Sequence, residues 1–248
     1  MRIVSLAPSN SEILYALGAG NQIVAVTSFC NYPKSVQGKP KIGGWTTASV
    51  KKVKEFHPDL VITSTFLQDK IVKKLKTSGL KVLHVDPKTL DDVFKSILTI
   101  GKAINKESAG KKLVAKLYQY VNTIKQKLKF IKNKPRVYIE EWHMPPMISG
   151  NWVPKIVELA AGKYLIKEGE ISRKIAQDEI TNFDPQLIIL SLCGYGKRPS
   201  PNLIYGRPGW QNISAVRDKK VFVFDDDLLN RPGPRLVDGL KQLIKVLY

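Results

Sequence analysis

Apolar residues along this chain fall into short runs separated by stretches with helical spacing, and the alternation occurs twice. Arg2–Leu6 reads as a short apolar strand. Pro8-Ser9-Asn10-Ser11-Glu12 then opens a helix, with Ser9 and Glu12 spaced as a capping box. Ile13, Leu14 and Leu17 give that helix a buried face, and Gly18 with Gly20 stops it. Further strands are predicted at Ile23–Thr27, Leu60–Thr63 and Leu80–Val85, with helices at Val50–Phe56 and Lys70–Ser78. Strands alternating with helices in this way predict a parallel sheet covered by helices.

A long helical region follows. Leu90, Phe94, Ile97, Leu98 and Ile104 fall on one stripe, and Leu113, Leu117, Tyr120, Val121, Ile124 and Leu128 on another. Gly101 and the stretch Asn105–Ser108 are the candidate interruptions. A single helix over Lys106–Ile131 would be ~39 Å long at ~1.5 Å per residue, which suits a rod tying two lobes together. After Pro135 the alternation resumes, with strands at Arg136–Glu141, Leu187–Leu192 and Lys220–Asp225 and helices at Trp152–Ala161 and Pro234–Leu247. The halves echo each other: Pro58-Asp59-Leu60-Val61-Ile62 resembles Asp184-Pro185-Gln186-Leu187-Ile188-Ile189. The expected fold is α/β, two Rossmann-like lobes with mainly parallel sheets joined by a long backbone helix. The expected parts are residues 1–88, a linking region 89–134, and residues 135–248.

Composition narrows the class. The chain has 248 residues, 43% hydrophobic and 25% charged, as a folded globular protein should. No apolar run approaches the ~20 residues that span a bilayer. The N-terminus shows no signal peptide, so the chain as written is expected in the cytoplasm, or outside it if a leader has been trimmed. Cys30 and Cys193 lie far apart and predict neither a zinc site nor a disulfide framework. The net charge is +19, but the lysines are spread along the chain. The densest stretch, Lys125 to Lys134, reads as the solvated face and end of a helix, and no nucleic-acid partner is expected.

Ligands of open parallel sheets bind beyond the carboxyl ends of strands. Those ends carry unusual side chains here: Phe29 and Tyr32 around Cys30, Trp45 on a glycine loop, and the apolar loop Trp142–Met147. Cys193 and Tyr195 lie beyond a later strand, and Asp226 and Arg231 beyond the last one. The expected ligand contacts are Phe29, Tyr32, Trp45, Trp142, His143, Met144, Cys193, Tyr195, Asp226 and Arg231. Such a lining suits a large, flat, partly apolar small molecule. Trp152 and Trp210 read as core.

The order of several segments is specific over both halves. Ile3-Val4-Ser5-Leu6-Ala7-Pro8-Ser9-Asn10-Ser11-Glu12, Asn31-Tyr32-Pro33 and Gly43-Gly44-Trp45 stand in the first. Pro145-Pro146, Ser149-Gly150-Asn151-Trp152 and Asn230-Arg231-Pro232-Gly233-Pro234-Arg235 stand in the second. In that order they resemble the vitamin B12-binding branch of the helical-backbone (class III) solute-binding proteins that serve ABC importers. The resemblance implies a monomer that holds a corrinoid such as cobalamin between its lobes, with no catalytic cofactor and no catalytic residues. Ferric siderophore or haem binding, and an intracellular corrinoid carrier without a transporter, are the neighbouring readings. It also implies a carboxylate on each lobe for docking to a membrane permease. Asp69 matches the first, but Tyr195–Asn212 holds no Asp or Glu and offers Lys197, Arg198 and Arg207 instead, which puts docking in doubt. Enzyme signatures are missing: there is no Gly-x-Ser-x-Gly elbow, P-loop or Gly-x-Gly-x-x-Gly. Glu140 and Glu141 should face opposite sides of their strand, a poor geometry for paired acid–base work. His143, at a strand end, reads as a polar residue at the rim of the cleft, with axial coordination of cobalt or iron as the alternative.

Overall fold

The computed structural model describes residues 1–248 and divides into two compact units. The first comprises Met1–Pro87 and Asp91–Leu117, and the second Lys88–Leu90 and Tyr118–Tyr248.

In the first unit the order is β1 (Ile3–Ser5), α1 (Pro8–Ala16), β2 (Ile23–Val26), α2 (Val50–Glu55), β3 (Leu60–Ser64), α3 (Asp69–Thr77), β4 (Val82–Val85) and α4 (Leu90–Ala103). The strands form an all-parallel sheet in the order β2-β1-β3-β4. Val4, Leu6, Val53, Val61, Ile71 and Leu75 build its core. The capping box expected at Ser9 and Glu12 does not form: Ala7 is the N-cap and makes no side-chain cap bond. Pro8 takes the first helical position, where its fixed φ fits and its missing N–H is not needed. Ser9 and Glu12 are thereby carried two positions further into the helix, and both are buried.

Gly101 does not interrupt α4. It sits where α4 meets α5 (Glu107–Leu128), and a Cβ there would lie 3.6 Å from the Gly110 Cα and 3.2 Å from the Lys106 carbonyl. Two glycines let the helices approach closely. The break comes at Asn105, at φ 57°, where the Lys106 N–H donates to the Gly101 carbonyl at 2.7 Å. That six-to-one bond with a left-handed Asn is a Schellman close. Helix α5 has 22 residues, about 33 Å at ~1.5 Å per residue. Its residues through Leu117 belong to the first unit and those from Tyr118 to the second.

The second unit continues with β5 (Val137–His143), β6 (Pro146–Ile148), α6 (Val153–Leu159), β7 (Arg173–Lys174), α7 (Gln177–Phe183), β8 (Leu187–Leu190), α8 (Asn202–Tyr205), α9 (Ser214–Arg217), β9 (Val221–Val223) and α10 (Leu236–Leu247). The sheet order is β7-β6-β5-β8-β9, with β5, β8 and β9 parallel and β6 and β7 antiparallel. Tyr138, Ile180, Ile188, Leu190, Trp210 and Val221 belong to its core. The expected loop over Trp142–Met147 is corrected to a tight hairpin: β5 runs through His143, and His143 pairs with Pro146. Its apolar character is that of strand residues.

The echo between the halves has a structural cause. Arg2 precedes β1, its carbonyl accepts from the Asp59 and Leu60 N–H groups, and its guanidinium donates to the Phe56 carbonyl at 3.0 and 2.8 Å. Arg136 precedes β5, its carbonyl accepts from the Gln186 and Leu187 N–H groups, and its Nε donates to the Asp184 carbonyl at 2.7 Å. Each unit thus uses an arginine ahead of one central strand to fix the turn that feeds the next. Asp184 also accepts from the Ser214 N–H at 2.7 Å and the Ser214 hydroxyl at 2.8 Å. Burial opposes its charge, but the Ser214 donors and the Arg136 guanidinium outweigh burial and hold the carboxyl below its usual range. Its contribution is therefore present above the unfolded carboxyl pKa and lost as pH falls through the lower folded value. Asp184→Asn keeps the left-handed turn but should cost about 1 kcal/mol at pH 7, discounted for partial exposure. Thermal unfolding followed from pH 7 downward should show the gap to the parent closing below about pH 4.

Candidate ligand-binding site

In the first unit the aromatic residues stand at the carboxyl end of the sheet. The segment Pro40–Gly43 runs beside β2: the Val26 N–H donates to Pro40 at 2.9 Å, Ile42 to Val26 at 3.1 Å, and Ser28 to Gly43 at 2.9 Å. This lays the glycine loop against the turn after β2. A Cβ on Gly44 would lie 3.7 Å from the Phe29 ring. Phe29 and Tyr32 are both about half exposed, at 49% and 47%, and Trp45 is partly buried.

One fully buried amide holds these parts together. Gln68 Oε1 accepts from the Ser64 N–H at 2.6 Å, and Nε2 donates to the Leu6 carbonyl at 2.8 Å and to the Trp45 carbonyl. Gln68 thus joins the ends of β1 and β3 to the Trp45 loop. Sequence reasoning missed it, because a glutamine after Phe66-Leu67 looks like ordinary loop polarity. Cys30 is buried, with its sulfur 3.2 Å from Ser11 Oγ and 3.3 Å from Thr27 Oγ1. Asp69 opens α3 with an exposed carboxylate, 3.5 Å from His84 Nε2, while His84 Nδ1 lies 2.8 Å from Thr63 Oγ1.

In the second unit the predicted His143 belongs to a buried ionic cluster. Tyr138 and Glu140 share a face of β5, and the Tyr138 hydroxyl donates to Glu140 Oε2 at 3.0 Å. Glu140 is fully buried and receives two Arg207 N–H bonds at 2.6 and 2.7 Å. His143 Nδ1 lies 3.2 Å from Glu140 Oε1 and 2.6 Å from Arg207 NH2. A guanidinium can only donate, so at that separation Nδ1 accepts and the ring proton sits on Nε2. Arg207 also lies over the Trp210 ring, 4.3 Å from its centre, and Trp210 meets Tyr138 edge to face. Burial, followed by the Glu140 charge, pushes the Tyr138 hydroxyl far up, so it remains a donor. Arg207 is therefore corrected from surface base to buried partner of Glu140.

His143, Arg207 and Trp210 of this cluster also line a cavity of about 480 Å³, together with Met144, Pro146 and Gln177 among others. Trp142 is exposed beside it and donates from Nε1 to the Met144 carbonyl at 3.0 Å; Met144 is 79% exposed. Glu141 points the other way, as alternation along a strand requires, and accepts from the Ser172 hydroxyl at 2.6 Å. Its burial raises its pKa.

The remaining predicted residues gather beyond β8 and β9. Asp226 accepts from the Gly194 N–H at 2.9 Å and the Gly196 N–H at 2.6 Å, and both glycines have positive φ. Asp226 thereby shapes the turn that presents Cys193 and Tyr195. Asn230 Nδ2 donates to the Ser191 carbonyl at 2.6 Å and lies 3.2 Å from the Cys193 sulfur. Cys193 is exposed as a residue, but lost hydration at its thiol, followed by the Glu141 and Asp226 charges, pushes the thiol well up. It stays protonated and is no nucleophile at neutral pH. Tyr195 is half exposed, with the Arg198 guanidinium 5.6 Å from its ring centre. Arg231 is committed to an ion pair with Asp227. Asp225, Asp226 and Asp227 lie close enough to suggest a cation site, yet each serves a different protein group: Asp225 caps the Asp227 N–H, Asp226 holds the glycine turn, and Asp227 pairs with Arg231.

The buried cluster is testable through its ion pair. Removing one partner of a buried pair costs about 3–5 kcal/mol, whereas replacing both with apolar groups is often neutral. Glu140→Gln should lower the unfolding midpoint by roughly 10 °C. The double variant Glu140→Leu with Arg207→Met should recover most of that loss in the same thermal melts.

Residues 3–228 match the family described as periplasmic binding protein. An uncharacterized ABC transporter substrate-binding lipoprotein, YvrC of Bacillus subtilis, is 31% identical across 100% of this chain and 80% of its own length. A vitamin B12-binding protein of Vibrio cholerae is 26% identical across 99% of this chain and 88% of its own. The solved structure of the periplasmic heme-binding protein RhuT from Roseiflexus superposes with a TM-score of 0.86 at 23% identity, covering 100% of this chain and 97% of that one. No helix is long and apolar enough to cross a membrane. The chain belongs to the periplasmic binding protein family, and it is a non-catalytic solute-binding protein of the ABC-importer type with the helical-backbone, class III fold.

Proposed function

We propose that the solute is a corrinoid of the cobalamin type. The observation that carries this reading is the set of large apolar side chains left open at the carboxyl ends of both sheets. Phe29 and Tyr32 stand exposed in the first unit, and Trp142, Met144 and Tyr195 in the second. Isolated exposed hydrophobics need no explanation, but aromatics gathered at strand ends match a broad, flat, partly apolar ligand. The whole-length similarity to a vitamin B12-binding protein supports the same class. Burial of these faces would supply most of the affinity at ~25 cal/mol per Å² of apolar surface, before ordering costs. Gln68 and Asp226 contribute by holding the loops that carry Trp45 and Tyr195.

Haem is the second reading, favoured by one feature. It is the whole-length likeness of fold to the periplasmic heme-binding protein RhuT; His143 would coordinate iron through Nε2 only after losing the proton that the Arg207 contact places there. The membrane partner of an importer-type binding protein is a permease, and the exposed carboxylate of Asp69 is our candidate for docking to it. We place the working protein on the outer side of the membrane, where such an importer collects its solute.

Titration calorimetry and absorbance with hydroxocobalamin, haem and a ferric hydroxamate decide between these readings. The corrinoid should bind one to one and tightest. Phe29→Ala and Trp142→Ala should each weaken it about 10- to 100-fold, with Cys193→Ser near neutral. His143→Ala should leave the cobalt spectrum unchanged. Absence of heat and of spectral change with every corrinoid would remove the proposal.

A further inference from the structure

The second unit carries a charged surface that solute binding does not use. From Ser108 through Ile139 the chain contains no Asp or Glu. Within that span Lys125, Lys127, Lys129, Lys132 and Lys134 fall close together, and all five are exposed. They occupy the last turn of α5 and the segment leading to β5. Among them stands Phe130, 83% exposed, with Lys129 Nζ 5.7 Å from its ring centre. Several lysines elsewhere pair with acids: Lys95 with Asp91, Lys111 with Glu107, Lys155 with Glu158 and Lys241 with Asp238. The nearest acids along the chain from the cluster are Glu107 and Glu140, and Glu140 is taken by Arg207.

The helix dipole accounts for part of this. Cations in the last turn complement the carbonyl end, which explains Lys125 and Lys127. It does not explain Lys132 and Lys134, which lie beyond the helix, nor an aromatic ring set among them.

We propose that this end of α5 docks on the surface of an anionic phospholipid bilayer, with the lysines facing the headgroup phosphates and Phe130 entering the interface. Two features favour a bilayer over a nucleic acid. The cations are lysines, point charges suited to a diffuse layer of phosphates, with no arginine between Ser108 and Pro135. The one exposed aromatic projects singly, as an interfacial anchor does, and offers no succession of rings on which bases could stack. The site lies wholly within the second unit and is independent of which solute is bound.

Flotation of the full chain with vesicles tests this, using phosphatidylcholine alone and phosphatidylcholine with 30% phosphatidylglycerol. The protein should float with the anionic vesicles at 50 mM salt and release at 500 mM, because exposed charges are screened within a few ångströms there. Replacing the five lysines with Gln should reduce the partition coefficient at least a hundredfold, each lysine contributing about fivefold. Phe130→Ala should reduce it about tenfold. A control with Lys51, Lys52, Lys54, Lys73 and Lys76 changed to Gln removes equal charge from the first unit and should retain most of the binding. Equal binding to neutral and anionic vesicles would overturn the proposal. So would equal loss in both sets of variants, which would assign binding to net charge. Tight binding to a 30-base-pair DNA duplex that is abolished by the five Gln substitutions, with vesicle binding indifferent to Phe130→Ala, would reassign the patch to nucleic acid.

Discussion

Glu140 holds a carboxylate where water does not reach, and such a charge persists only if the protein supplies partners. Arg207 arrives from the segment after α8 and meets it with two parallel hydrogen bonds, while Tyr138 adds a third from the same strand. That requirement fixes much of the second unit's site. Arg207 also lies over the Trp210 ring, and His143 meets the pair through Nδ1. The wall of the cavity is thus set by an electrostatic demand made one strand residue at a time.

The first unit meets the same problem without charge. Gln68, a neutral amide with no exposed surface, satisfies one backbone donor and two carbonyls at the ends of β1 and β3 and in the Trp45 loop. Amide and ion pair do equivalent work: each fixes loops beyond a parallel sheet so that the side chains they carry are held ready. The paired arginines ahead of β1 and β5 show the same economy at the opposite ends of the strands.

The legible part of the fold was its periodicity. Strands β1 to β4, the long helix and the last helix follow from apolar spacing, and their limits shifted by one to three residues. What escaped was structure set by contacts distant in sequence. The hairpin of β5 and β6 read as a loop because its turn, Met144-Pro145, lacks the usual glycine or asparagine. Helices α7, α8 and α9 are too short to show a period. Within the site, aromatics at strand ends were legible because their placement is unusual for loops. Gln68 and Arg207 were not, since nothing in their neighbourhoods along the chain announces the groups, as distant as Leu6 and Glu140, that they reach. Asp226 and Arg231 were expected as ligand contacts, and the structure gives them turn-holding and ion-pairing roles.

The proposed corrinoid rests on strand ends rich in rings, held by a buried amide in one unit and a buried ion pair in the other. The account is tested most directly by what the protein carries when isolated from the cells that make it. Native mass spectrometry with metal analysis should find one cobalt tetrapyrrole per chain; haem iron or a ferric chelate in its place would contradict it.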